Sequence, residues 1–425
     1  MIPDTVTSKL STHLYVMASK DELTEFWAES FGLGADSYRV IFADEIRREY
    51  GLFALYRDIE AEIIEHSISV LLIDLAAPMF DPFFLRELKQ KYNLMVVLVT
   101  GDDEFKFSWI SSSYATVADL VLSTDYVSID RYRQSGVNAH FFPYPVYIPD
   151  ELPARTEEAF SYSVSIVGAG KKKGESESRS EFIEFLTKKI NVSLFLNYGT
   201  SDPRYLSRDD MYSVFHDSVI NLNFAGICSY TKPDDPLFDR IRGMKLRPFE
   251  IAAVGGFCMS EFSISLSKSF EDEVDIIFFR NREDLLEKIT YFLEHKDEAK
   301  RIGNNAAQKI REQYSPEAVA KKLATKIQQS QQHIGIDLYG VPHIVQVSRW
   351  LASSYLVLTM LNSINLAFKG KLNSCLRDAW SCARFLKHFL GNAGTSATVK
   401  VTLLSFYQLG KAALGKVRSV VSSAA

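Results

Sequence analysis

"KLRPFEIAAVGGFCMSEF", residues 245–262, sets a helix-to-strand pattern beside charges that a plain core segment would not hold. It begins as a helix-like apolar run, closes on Gly255 and Gly256, and continues as a strand-like FCM. Three kinds of residue are out of place in a plain core segment: Glu250 within the run, Lys245 and Arg247 just before it, and Glu261 just after the strand. A carboxylate on an apolar surface costs free energy unless something pairs with it. One pairing is ordinary, a carboxylate near a helix start favoured by the helix dipole. The other is a ligand that carries both hydroxyls and phosphate, the diol bonding the carboxylate and the phosphates meeting the cations.

Working outward, the same helix-to-strand grammar fills most of the chain. Apolar runs at 13–17, 38–42, 68–74, 94–100, 119–123 and 138–142 alternate with stretches of helical period such as Asp81–Lys91. Continuous apolar strands separated by helices predict a parallel sheet covered on both faces. "PYPVYIPDELP" (143–153) then places four prolines in 11 residues, which reads as a linker. The pattern restarts at 162–167 and continues through 192–197, 219–224, 256–260 and 274–279, with helices at Arg179–Lys189 and Asp284–His295. We therefore expect an α/β protein with two Rossmann-like doubly wound domains, residues 1–150 and 151–330, facing a cleft.

Beyond residue 330 the texture changes. Residues 331–425 hold ten Lys/Arg and two Asp/Glu, a net charge of +8, against −13 for the first 330. From Val341 to Phe368 the only charged residue is Arg349, yet six Ser, Thr or Asn at 350–368 disfavour a membrane span. We expect a basic helical module, with helices near 371–390 and 398–421, attached to an anionic membrane surface through Trp350, Trp380, Phe385 and Phe389; the alternative is helices packed on the body. The overall charge of −5 gives no support for a nucleic-acid partner. Four cysteines (Cys228, Cys258, Cys375, Cys382) form no CxxC pair, and eight scattered histidines show no metal spacing, so free thiols in a reducing compartment are expected. The first residues lack the basic-then-apolar order of a secretory signal, which points to a cytoplasmic protein, peripheral at the inner membrane face if the basic module binds there.

Residues 219–320 sharpen this into a family resemblance. "INLNF", "RIRGMKLRPFEIAAVGGFCMSEF" and "FEDEVDIIFFRNREDLLEKITYFLEHKDEAKRIGNNAAQKIREQYSPE" resemble the CgeB-like (spore maturation protein) branch of the group 1, GT-B glycosyltransferases. Upstream, "VTGDDEFKF…DLVLSTD…YRQSGVNAHFFPYPV" resembles the N-terminal half of that branch, so the likeness covers roughly residues 95–320 and leaves the C-terminal 95 outside it. The resemblance implies a nucleotide-sugar donor and a glycan or lipid-linked acceptor, with no cofactor; no DxD motif stands at TGDDEFKF, so metal independence is expected. It also departs from the broader group pattern: eight residues before Glu250, where a first glutamate is usual, stands Arg242.

The chemistry of such a donor suits these residue types. A buried Glu250 would accept hydrogen bonds from both ribose hydroxyls. Lys245 and Arg247 would neutralise a diphosphate whose charge rises as the sugar–phosphate bond breaks. Gly255 and Gly256 would permit close backbone approach. "SIVGAGKKKGESESR" (165–179) fails both standard phosphate-loop patterns, but Arg179 opens the next helix and the resemblance implies a phosphate-facing arginine about there. Glu261 is a candidate to orient the donor sugar in place of the missing glutamate, or a solvated surface residue. "TGDDEFKF" (100–107) follows a strand at its carboxyl end, where an inverting transfer needs a base; Asp103, then Asp102, are the candidates, with helix capping as the alternative. The non-enzymatic alternative is a catalytically silent GT-B scaffold that docks a partner or membrane through its basic tail.

Overall fold

The protein's structure, a computed structural model, describes residues 11–74, 80–151, 160–169, 177–197, 206–226, 242–331 and 347–423. Those within 1–123, 129–140 and 323–425 pack as one compact unit, and those within 124–128 and 141–322 as a second.

In the first unit the order is β1 (Thr12–Met17), α1 (Glu22–Gly32), β2 (Ser37–Phe42), α2 (Ala43–Tyr50), α3 (Leu52–Glu65), β3 (Val70–Asp74), α4 (Pro82–Tyr92) and β4 (Met95–Thr100). A short α5 (Asp103–Lys106), a π-helical turn (Phe107–Ser111), α6 (Ser112–Ala115), β5 (Leu120–Ser123), α7 (Tyr126–Gln134) and β6 (Ala139–Phe141) follow. The strands form one sheet in the order β2-β1-β3-β4-β5-β6, with parallel pairing from β2 through β5. Every residue of β3, β4 and β5 is buried, which is why their sequences run apolar without alternation. Asp81 caps α4 by accepting from the Phe83 N–H (2.8 Å), and Pro82 follows at the first helical position, where its missing N–H costs nothing.

In the second unit β7 (Tyr162–Ala169), α8 (Glu177–Thr187), β8 (Ser193–Asn197), α9 (Arg208–His216), β9 (Ser218–Asn223), α10 (Arg247–Ala253), β10 (Cys258–Glu261), β11 (Ile277–Phe279), α11 (Arg282–Glu294) and α12 (Lys296–Gln313) follow in order. The five strands are all parallel, ordered β11-β10-β9-β7-β8. Alternate residues feed two cores. Ile276, Phe278 and Cys258 pack with Phe249, Phe270 and Tyr314, while Ile277, Phe279 and Met259 pack with Ile166, Leu285 and Ile289 on the opposite face. Both units are thus parallel-sheet Rossmann-like domains, and all eleven expected strands form.

The C-terminal region departs from expectation in how it packs. The chain leaves the second unit within α13 (Pro316–Gln331), then forms α14 (Arg349–Phe368) and α15 (Leu372–Ser423), one continuous 52-residue helix where two were expected. These helices do not stand apart as a separate module: they pack on each other and on α2 and α3, within the first unit. The Tyr355 hydroxyl meets that of Tyr56 (3.1 Å), Asp378 accepts from the Phe53 N–H (3.1 Å), and Asn362 donates to the Arg47 carbonyl (2.7 Å). Phe385 and Phe389, expected to face a membrane, are buried, with Phe385 against Phe83 and Tyr355. α14 is long and apolar enough to cross a membrane, but its Leu351, Ala352, Tyr355, Leu356 and Leu366 are core residues of the unit. An aromatic at the right helical phase serves a protein core as readily as a bilayer, and composition does not separate the two.

Candidate functional site

In an open parallel sheet, ligands bind beyond the carboxyl ends of the strands, where neighbouring strands send their connections to opposite sides. In the second unit that point lies between β7 and β9. Three pieces of chain gather there. Arg179, in the first turn of α8, reaches back to Gly168 at the end of β7; a Cβ built on Gly168 would sit 3.1 Å from its guanidinium. The same guanidinium lies 5.7 Å from the ring centre of Phe224, just beyond β9. The lysine run Lys171–Lys173 lies outside the described residues.

Next to β9, Gly226 and Arg242 form an antiparallel bridge, and the Gly243 N–H donates to the Ala225 carbonyl (2.9 Å). This clasp brings Arg242 against Glu261, the last residue of β10. Their side chains form an ion pair, and Glu261 also accepts from the Ala225 N–H (3.2 Å). Glu261 is therefore buried, at 7% exposure, and not the solvated residue the sequence left open. The arginine standing where the resemblance expects a glutamate is answered by a carboxylate from the neighbouring strand, and sequence spacing did not signal that pairing.

The clasp leads directly into α10. Glu250 is half-buried one turn inside it and pairs with Arg247 (2.9 Å). Arg247 also touches the Met211 sulfur and lies 5.3 Å from the ring centre of Phe215. Glu250, after burial, helps push the Tyr212 hydroxyl above its ordinary range. Tyr212 stacks on Tyr147 at 5.9 Å, and Arg208 covers the other aromatic ring of that stack at 4.7 Å. Arg208, Tyr147 and Tyr212 were not singled out from sequence; a tyrosine within a proline-rich linker carries no spacing signal. Lys245 is half-buried two residues before α10.

Gly255 and Gly256 require a correction. They lie at the far end of α10 from Glu250, before the amino end of β10, and so away from the carboxyl edge of the sheet. Gly255 takes φ +71°, a left-handed helix end that glycine adopts without strain. A Cβ on Gly256 would come within 2.9 Å of the Phe215 carbonyl oxygen, and one on Gly303 of α12 within 2.7 Å of the Gly255 carbonyl oxygen. The backbone approach that demands glycine here is the protein's own.

The first unit holds the two aspartates. Asp103 is wholly enclosed and accepts from Ser123 (2.7 Å) and Tyr132 (2.8 Å). Burial raises its pKa, opposed by the hydroxyls of Ser111, Thr100, Ser123 and Tyr132. A base must reach its acceptor, and Asp103 has no exposed surface; it ties β5 and α7 to the end of β4. Asp102 is different. It takes φ +57°, its side chain is 41% exposed, and Lys106 stands 3.8 Å away. Among the described residues no group of three or more His, Cys, Asp or Glu is placed to hold a metal ion.

Residues 171–325 match the family model described as Glycosyl transferase-like. The chain is also similar in structure to HepE from Anabaena, solved with UDP-glucose: TM-score 0.50 and 10% identity, over 75% of this chain and 99% of that one. Sucrose-phosphate synthase from Thermosynechococcus elongatus is similar at TM-score 0.51 and 10% identity, over 76% of this chain and 99% of that one. The fold is GT-B. The sequence matches no curated protein. The model match falls on the GT-B half that carries Arg179, Arg242, Glu250 and Glu261, and α14 and α15 lie beyond its end.

Proposed function

We propose that the protein is a glycosyltransferase that moves a sugar from a nucleotide donor to a cell-envelope or surface glycan, or to its lipid-linked precursor, without a metal. The observation that supports this reading is that Arg179, beside the switch point of the second sheet, and the Arg247–Glu250 pair on α10 both fall inside the stretch matching the Glycosyl transferase-like model. Glu250 bonds the ribose diol, and its present partner Arg247 is released, with Lys245 and Arg179, to meet the diphosphate. Fixed cations gain leverage as the leaving diphosphate takes up charge, because they need not reorganise during the reaction. Arg242 and Glu261, locked together, present a rigid polar edge to the donor sugar. Asp102, exposed at the end of β4, takes the acceptor proton if the transfer inverts. The family likeness is that of the CgeB-like branch. Buried free thiols at Cys258 and Cys382, with Cys375 partly exposed, suit a cytoplasmic setting.

A thermal-shift series with nucleoside diphosphates and their sugars tests the donor, since a ligand at a hundredfold over its Kd stabilises by about 2.7 kcal/mol. No shift with any of them would sink the donor reading. Asp102→Asn should cut turnover by about 10²-fold or more with donor affinity unchanged. One observation favours a second reading, a silent scaffold: Arg242 occupies the place of the usual first glutamate and its charge is already answered by Glu261. A scaffold would bind nucleotide yet neither transfer nor hydrolyse any nucleotide sugar.

A further inference from the structure

α14 and α15 form a hairpin joined at Lys369–Lys371, where Gly370 turns the chain at φ +73°. Its inner side is core. Its outer side carries an exposed apolar stripe: Phe368 is 89% exposed, Leu372 61%, Leu376 60%, Trp380 57% and Ile364 47%, with Trp380 touching only the edge of the body, its ring centre 6.4 Å from that of Phe53. The interval is four residues throughout, so Leu372, Leu376 and Trp380 share one side of α15, and Ile364 and Phe368 one side of α14. Among the described residues the other exposed large apolar side chains are single or paired, an ordinary surface condition.

Cations outnumber carboxylates around the stripe. Lys369, Lys371, Arg377 and Lys387 border it, with Lys371 lying 4.8 Å from the ring centre of the exposed Tyr50. The one carboxylate on the two helices, Asp378, is buried and accepts from Phe53 and Asn362. Glu49 and Glu87 reach the hairpin from α2 and α4, but Lys369 and Lys371 hold the first, and Arg384 and His388 the second. Protein–protein faces are depleted in lysine. An interfacial helix, by contrast, joins Trp, Phe and Leu at the acyl boundary to Lys and Arg at the lipid phosphates.

We propose that the tip and outer face of this hairpin dock the protein on an anionic lipid bilayer, lying in the headgroup plane without crossing it. The lipid-facing residues are Phe368, Leu372, Leu376 and Trp380, a different face from the buried Phe385 and Phe389. The inference is independent of the donor site, which lies in the other unit.

The test is sedimentation of the full chain with vesicles of phosphatidylcholine alone and with about a third phosphatidylglycerol, at low and high salt. Binding should require the anionic lipid, fall with salt, and weaken about tenfold or more in Leu376→Ser/Trp380→Ser and less in Lys387→Glu, with melting temperatures unchanged. Equal binding to both vesicle types, no binding by the parent, or a double variant that binds as the parent does overturns the proposal. So does a parent that ignores vesicles and is a dimer by light scattering, which the double variant makes monomeric; the stripe is then an interface between copies. Should the double variant lose its fold, the lipid and salt dependence of the parent and of Lys387→Glu decide the question.

Discussion

The two sheets of this protein obey the same strand rule but close their cores by different means. The second unit is built from nearly continuous chain, its two cores supplied by the helices between its own strands and by α11 and α12 just after the last of them. The first unit is completed by α14 and α15, which arrive from more than 200 residues downstream of β6 and fill the surface over α2 and α3. Their carboxylates differ as well. Asp103, at the carboxyl edge of the first sheet, is enclosed and bonded by hydroxyls, whereas Glu250, in α10 of the second unit, keeps 15% of its side chain exposed and is paired with Arg247. A carboxylate at the right place in a sheet marks a binding site only when its bonding partners can be exchanged for a ligand.

Cutting the chain after Gln331 tests the first contrast and should have the largest effect. Tyr355, Leu356, Leu366, Phe385 and Phe389 all leave the core, each burial contributing about 1.5–3 kcal/mol, so the loss approaches the ~5–15 kcal/mol of a whole domain. We expect loss of cooperative melting in the first unit, with the second unit still melting as a separate transition by calorimetry. A truncated chain with both transitions intact would show that the helices are an appendage after all.

Asp103→Ala comes next. It leaves the Ser123 and Tyr132 hydroxyls buried without their acceptor, at about 1–3 kcal/mol each. Urea denaturation should record a destabilisation of ~2–5 kcal/mol, while donor affinity in the folded protein is unchanged. A stable variant with lost turnover would return Asp103 to the catalytic role.

Glu250→Ala sharpens the second contrast. Removing charged hydrogen bonds to two hydroxyls should weaken nucleoside diphosphate binding by about 2–4 kcal/mol by calorimetry, with the melting temperature hardly altered because the pair it breaks is partly solvated. Tight binding by a folded variant removes the ribose role.

The smallest effect is a pH dependence at the seam of the first unit. Burial pushes the Asp81 carboxyl up to about 7, against the hydrogen bonds from Phe83 and Phe84 and the nearby Arg384. A raised carboxyl pKa means that the folded state holds the proton more tightly. That contribution is fully present below about pH 4 and is lost as the pH climbs toward 7. Asp81→Asn keeps an acceptor for the Phe83 N–H and cannot ionise. Its stability relative to the parent should therefore be flat in acid and improve as the pH climbs across this window. A stability difference that does not change with pH would place the titration elsewhere.

How much of this was legible in one dimension follows from the range of the forces involved. Most of the strands β1 to β11 were readable because burial on both faces of a parallel sheet writes continuous apolar runs into consecutive residues, and the helices α4, α8 and α11 were readable from their period. Glu250 with its flanking cations was readable for the same reason: an ionisable residue in an apolar run needs a partner, and that need is local. What the partner is was not local. Arg242 finds Glu261 on the neighbouring strand, Asp103 finds Tyr132 from the next helix but one, and Gly256 is small because Phe215 presses on it. The basic tail shows the limit most clearly. Its helices and charge belong to the sequence, but which aromatics turn inward to Tyr56 and Phe83 and which stay in solvent depended on surfaces more than 250 residues away, and hydrophobicity has no direction until those surfaces are in place.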